Sequence, residues 1–180
     1  MALASAVVLL VPEADPLVDA WRKRYDPSAA LGVPAHVTLL YPWLPAPLPD
    51  RAVAELGALF NVVPPFELSF SSLGRFPTSL YLAPDKDGPI RALMNALFTA
   101  FPQCPPYGGI HDEVVPHLTV MSLSSLADFE ARVAEVDQDL RTRLPVRTRI
   151  DQVTVLESDE AGRWRTRAEI PLLGEARRGS

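Results

Sequence analysis

His36-Val37-Thr38-Leu39 and His117-Leu118-Thr119-Val120 are one phrase written twice in a chain of 180 residues, and two of its only three histidines are spent on it. Both copies read as strands. Side chains at i and i+2 of a strand share a face, so each His stands beside its Thr, while Val37 and Leu39, or Leu118 and Val120, face an apolar layer. Each copy therefore offers a titratable imidazole next to a hydroxyl. Proline precedes both, in Pro34-Ala35-His36 and Pro116-His117. Because proline favours strand starts and edges and holds its predecessor extended, both histidines are expected near the starts of their strands. If the two strands lie side by side, one pocket holds two imidazoles and two hydroxyls. That set suits a phosphate at which one proton must be removed and another delivered.

Working outward, the order of elements recurs around each copy. Val7 to Val11 reads as a strand, Asp15 to Tyr25 as a helix with Leu17, Ala20 and Trp21 on one side, and His36 to Tyr41 as the first motif strand. Asp50 to Phe60 is helical, and Phe66-Glu67-Leu68-Ser69-Phe70 alternates strictly, as a half-buried strand does. Then Leu80-Tyr81-Leu82 is a strand, Pro89 to Phe101 a helix with proline in its first turn, and His117 to Met121 the second motif strand. Ser125 to Leu144 carries Leu126, Phe129, Val133, Val136 and Leu140 at helical spacing, Ile150 to Leu156 is a strand, and Trp164 to Ile170 closes the chain with another. Strand, helix, motif strand, helix, strand thus occurs twice, an internal duplication in outline. Related strands meeting at a pseudo-two-fold axis would each contribute one imidazole to a shared cleft. Proline-rich connections at Pro42-Trp43-Leu44-Pro45-Ala46-Pro47 and Pro105-Pro106-Tyr107-Gly108-Gly109 would form its rim.

Composition fits one bilobal domain over residues 1–180, with 48% apolar and 22% charged residues. The apolar run from Ala2 to Val11 lacks a basic leader and ends at Pro12-Glu13, so it reads as a buried strand and not as a signal or membrane span; a cytoplasmic location is expected. Cys104 is the sole cysteine, which excludes a disulfide framework and a cysteine-based zinc site. A net charge of −5 argues against coating long nucleic acid by charge alone and leaves small nucleotides or RNA ends open. Arginines nonetheless crowd the last quarter. Arg147 and Arg149, then Arg163, Arg165 and Arg167, recur at period two and line strand faces that are either simply solvated or an approach for a phosphate backbone.

Two His-x-Thr motifs about eighty residues apart, in a duplicated α+β chain of this length, resemble the two-histidine (2H) phosphoesterase superfamily. The branch most similar is the one called 2′-5′ RNA ligase or RNA 2′,3′-cyclic phosphodiesterase. Leu73-Gly74-Arg75-Phe76-Pro77 followed by Leu80-Tyr81-Leu82 resembles that family's hairpin between halves, and Pro116-His117-Leu118-Thr119-Val120 is similar to its second motif. The resemblance implies two pseudo-symmetric lobes of antiparallel sheet with outer helices and a central cleft carrying the motifs. It implies a monomer that opens 2′,3′-cyclic phosphates on RNA ends or nucleotides without metal or cofactor, or runs the reverse 2′-5′ ligation. It assigns His36 as acid and His117 as base, an order the residues themselves leave open, and gives Thr38 and Thr119 to the phosphate oxygens. The residues alone also allow a binding module of the same fold that holds a nucleotide or RNA end without turnover.

Other residues carry two readings each. Arg75 could reach a phosphate or be an ordinary surface arginine, and Tyr41, Trp43, Phe76 and Tyr107 could stack on a base or pack in core and rim. His111, in His111-Asp112-Glu113, could join His36 and His117 on a metal, although no His-x-x-x-His spacing supports it, or mark a solvated turn. Asp85-Lys86-Asp87-Gly88 reads as a turn only.

Overall fold

The computed structural model describes residues 3–110 and 114–175; His111 lies outside them. In chain order the elements are β1 (Ser5–Leu10), α1 (Asp15–Tyr25), α2 (Pro27–Ala30), β2 (His36–Leu40), α3 (Asp50–Phe60), β3 (Phe66–Phe76), β4 (Ser79–Pro84), α4 (Gly88–Ala100), β5 (Leu118–Ser122), α5 (Leu126–Arg141), β6 (Val146–Ile150), β7 (Gln152–Ser158) and β8 (Trp164–Pro171). The strands form two antiparallel four-stranded sheets, in the orders β2-β1-β7-β8 and β5-β4-β3-β6. Each sheet has a motif strand at one edge and a helical cover, so the fold is α+β with two related lobes, as the duplicated pattern suggested.

The two halves of the chain are not the two sheets. The second sheet is one continuous stretch from Phe66 to Ile150, inserted between α3 and β7 of the first. Only Pro77 and Thr78 separate β3 from β4, which forces those strands into a hairpin. The strand that closes the first half therefore pairs with the strand that opens the second, and β7 returns to pair with β1. The stretch Ile150 to Leu156, expected as a single strand, is two: β6 ends in the second sheet at Ile150, and β7 begins in the first at Gln152. Alternation looks the same on both sides of Asp151, so sequence pattern could not show the change of sheet. The expected strand Phe66 to Phe70 continues through a bulge to Phe76. Helix α5 stops at Arg141, short of Leu144, because the residue before Pro145 cannot be helical without clashing with the proline ring.

Helices cross between lobes. The helix after β1, α1, packs against β5 of the other sheet, and its counterpart α4 packs against β2. One apolar cluster runs through both lobes, from Val7, Leu9 and Leu39 to Leu80, Leu118 and Phe129. The opposite face of the first sheet carries a small separate cluster of Ala6, Val8, Val33 and Leu156, with Trp164 packed on it. That face is free of the main core and faces the cleft.

A paired-histidine cleft as candidate active site

Strand periodicity does at β2 and β5 what the sequence requires. Val37 and Leu39 are buried while His36 and Thr38 are half-buried, and Leu118 and Val120 are buried on either side of a half-buried Thr119. The motif strands are not hydrogen-bonded to each other; each is the edge of its own sheet, and the two edges meet. His36, Thr38, His117 and Thr119 line one cleft of about 420 Å³, together with Tyr41 and Tyr107. It adjoins a second hollow of about 580 Å³ bounded by Phe76, Pro77 and Val115, and both hollows share Tyr107, His117, Thr119 and Ser122.

Each imidazole is held in the same way. His36 Nδ1 is 2.8 Å from the carbonyl oxygen of Pro34, and His117 Nδ1 is 2.7 Å from that of Val115, in both cases the residue two places upstream. A carbonyl only accepts, so Nδ1 carries the hydrogen and Nε2 is the nitrogen left for chemistry. Burial pushes both rings toward the neutral form. His36 is lowered from 6.5 to about 4, first by burial and further by Arg22 and His117, against the opposing pull of the Pro34 carbonyl and Asp26. His117 is lowered by burial, against the Val115 carbonyl.

The surroundings of the two rings differ. Beside His36, the buried Arg22 donates to Asp26 Oδ2 at 3.1 and 3.0 Å and to the carbonyl of Val33 at 3.0 Å. Asp26, the N-cap of α2, in turn accepts at Oδ1 from the backbone N–H and the hydroxyl of Ser28. Asp26 and Ser28 face the cleft. The ring of His117 lies instead against Phe76 and Tyr81, with centroids 5.0 and 5.3 Å away. Tyr81 reaches that position over Gly74, its partner on β3, where any Cβ would come within 2.3 Å of the tyrosine ring.

The other residues singled out in the sequence divide. Tyr41, at the end of β2, meets Trp164 edge to face at 5.9 Å, and the pair forms an aromatic wall on the His36 side. Sheet curvature brings Trp164 there from the far edge strand β8. Tyr107 enters the cleft from the loop after α4 in a left-handed conformation (φ 51°), which costs a residue with a Cβ about 1–2 kcal/mol. Trp43 does not reach the cleft; it is 4% exposed and packs edge-on against Phe101. Arg75 is paired with Glu130 at 2.8 Å, its guanidinium over the Phe129 ring, outside the cleft. Cys104 is buried, which pushes its thiol pKa up. Among the described residues no three His, Cys, Asp or Glu side chains gather as a metal site would need, and no helix is long and apolar enough to cross a membrane.

Sequence reasoning passed over Asp26, Ser28, Ser122 and Trp164. The first two had a local signal, since Asp-Pro-x-x is a helix start with a capping side chain and proline in the first turn. Trp164 was hidden by its flanking arginines.

A family model described as 2′-5′ RNA ligase superfamily matches residues 10–162. Among solved structures, Escherichia coli LigT complexed with 3′-AMP superposes with a TM-score of 0.61 at 17% identity, covering 96% of this chain and 99% of LigT. A structure described as a phosphoesterase gives 0.61 at 16% identity over 96% and 99% of the two chains. A protein of Thermus thermophilus gives 0.54 at 17% identity over 98% and 100%. No curated protein matches the chain by sequence.

Proposed function

The chain belongs to the 2′-5′ RNA ligase superfamily, and from that membership we propose that it is a phosphodiesterase that opens 2′,3′-cyclic phosphates on RNA ends or nucleotides, with 2′-5′ ligation as the reverse. The observation that carries this reading is the pair of imidazoles, each tethered through Nδ1 to the carbonyl two residues upstream and each beside a threonine hydroxyl in one cleft. A phosphate held by Thr38 and Thr119 would lie between the two Nε2 atoms. Water attacks phosphorus as one ring takes its proton; the bond to one ribose oxygen breaks as the other ring gives that oxygen a proton. The threonine hydroxyls, donating to the non-bridging oxygens, stabilise the charge that gathers there.

We infer the order of the two roles from the surroundings of each ring. Both rings are neutral before substrate binds, so the acid acquires its proton when the anionic phosphate arrives and raises both pKa values. His117, flanked by Phe76 and Tyr81 and free of the adjacent Arg22 charge, takes that proton, and His36, held down to about 4, stays neutral as the base. The family resemblance implied the opposite order, with His36 as acid and His117 as base, and the p-nitrophenyl substrate described below distinguishes the two. Tyr41 and Trp164 would receive the nucleobase. In support, LigT of E. coli was crystallised with 3′-AMP, NADP+, ATP and phosphate, all phosphate-bearing molecules.

The test is a panel of 2′,3′-cyclic mononucleotides and cyclic-phosphate-ended oligonucleotides, assayed with chelator present. His36→Ala and His117→Ala are each expected to lose about 10²–10⁴-fold in kcat with unchanged thermal melts. On a nucleoside p-nitrophenyl phosphate, whose leaving group departs without a proton, His117→Ala should recover and His36→Ala should not. Full turnover by either variant on the cyclic substrates, or no turnover by the native protein, would refute the proposal.

A further inference from the structure

An arginine reaches the backbone three places before each cleft histidine. Arg22, in the last turn of α1, donates through Nη2 to the carbonyl of Val33 at 3.0 Å. Arg91, near the start of α4, donates through Nη1 to the carbonyl of Val114 at 3.3 Å. Val33 precedes His36 by three residues, as Val114 precedes His117. Each guanidinium is aimed by a carboxylate one helical turn away: Arg22 Nε donates to Asp26 at 3.1 Å, and Arg91 Nε to Asp87 at 2.6 Å. The first pair is buried and the second partly exposed. The two arginines stand at opposite ends of their helices, so the shared arrangement is not a repeat of one helix position.

The Nδ1 tethers are the very next carbonyls, those of Pro34 and Val115. A pinned carbonyl fixes its whole peptide plane, because the peptide bond does not rotate. Between the plane held by Arg22 and the Pro34 carbonyl stand only φ and ψ of Pro34, and the proline ring locks φ. Between the plane held by Arg91 and the Val115 carbonyl stand φ and ψ of Val115, which Pro116 confines to extended values. On the His36 side the Val33 N–H is held by the Ser28 carbonyl at 3.1 Å, and the Ala35 carbonyl by the Val11 N–H at 2.9 Å. A loosened tether would let the Nδ1–H and Nε2–H tautomers exchange, and the Nε2–H form has no lone pair there to take a proton. Resting on the phosphodiesterase reading above, we propose that Arg22 and Arg91 are positioning residues that hold the two tether carbonyls in place and so keep Nε2 of each histidine available for proton transfer. The planar fork of arginine lets one side chain serve a carboxylate and a carbonyl together, which the point charge of a lysine does not.

The experiment reads the ring nitrogens by nitrogen NMR at pH 7.5, with signals assigned through His36→Gln, His111→Gln and His117→Gln. The native protein is expected to show the Nδ1–H tautomer at both His36 and His117. Arg91→Met should bring Nε2–H character to His117 and leave His36 as it was. Arg22→Met combined with Asp26→Asn, which leaves no buried charge unpaired, should do the converse. Arg91→Lys keeps the charge without the fork and should behave as Arg91→Met does. On a 2′,3′-cyclic mononucleotide each variant should lose about ten- to a hundred-fold in kcat, less than removal of an imidazole, with KM within about two-fold. Thermal melts check the fold, and the partly exposed Arg91 decides the matter if the buried pair does not tolerate replacement. Unchanged tautomers in folded Arg91→Met, or native tautomers and turnover in Arg91→Lys, would overturn the proposal. If the native protein turns over no cyclic phosphate, the phosphodiesterase reading falls by itself, and the tautomers alone judge the clamp.

Discussion

At the scale of single residues, the cleft is built from atoms that sequence pattern could and could not place. Period two put His36 with Thr38 and His117 with Thr119, and burial follows it position by position. The Nδ1 tethers to Pro34 and Val115 were not legible, since they depend on how the backbone enters each strand. Their consequence can be measured away from catalysis. An unfolded histidine titrates near 6.5, whereas His36 in the folded protein titrates near 4. Between those values the unfolded chain binds a proton that the native protein refuses, so stability is full above about pH 6.5 and falls as the pH drops toward 4. At about 1.36 kcal/mol per pKa unit this is at most about 3 kcal/mol, less to the extent that water reaches the half-buried ring. His117 works in the same direction. Urea melts at pH 7.5 and 4.5 should therefore show a smaller difference in His36→Gln than in the native protein. An identical difference in both would mean that His36 titrates normally.

At the scale of elements, legibility followed amphipathicity. Helices α1 and α3 begin and end where the apolar spacing placed them, because one face of each must meet a sheet. Arginine spacing was legible too, but its meaning depends on which side of the sheet is wet. Trp164 lines the cleft, so Arg165, one residue on, lies on the opposite face of β8. Arg167 is the extra residue at the β7–β8 bulge and reaches Asp50 of α3 and the buried Glu157. Arg147 and Arg149 are on β6, at the edge of their sheet away from β5. The arginine stripes thus do not line the cleft, and the approach they suggested in the sequence is not where the histidines are. Arg165→Ala is expected to change KM for a cyclic mononucleotide by less than about two-fold. Trp164→Ala, which removes a stacking face worth about 1–3 kcal/mol, is expected to raise it about 5- to 100-fold. Steady-state kinetics on the two variants decides it, and a larger effect at Arg165 would return the stripe to the substrate path.

At the scale of the whole molecule, the duplicated order of elements was legible and the exchange of partners was not. The same alternating pattern in β3 would suit pairing with β1 or with β4; the two-residue connection to β4 decides. The outcome is a second lobe inserted into the first, with each lobe lending a helix to the other: α1 covers β5, and α4 covers β2. Neither sheet is covered by its own chain segment alone, and one apolar cluster spans both. Independent lobes would unfold independently, whereas lobes that bury each other's apolar faces lose both cores together. The protein is therefore expected to unfold in a single calorimetric transition. Leu82→Ala, at a fully buried position in β4, should lower that transition by about 2–5 kcal/mol. It should also reduce amide protection in β1 and β7 of the other lobe by the same free energy. A segment of residues 64–151 expressed alone would keep every strand of its sheet and lose α1 from the face of β5. It should remain without fixed tertiary structure in circular dichroism and amide exchange. Two resolved transitions, or a folded segment, would show that the histidines belong to separable units; a single one would mean that the cleft exists only while both lobes are folded.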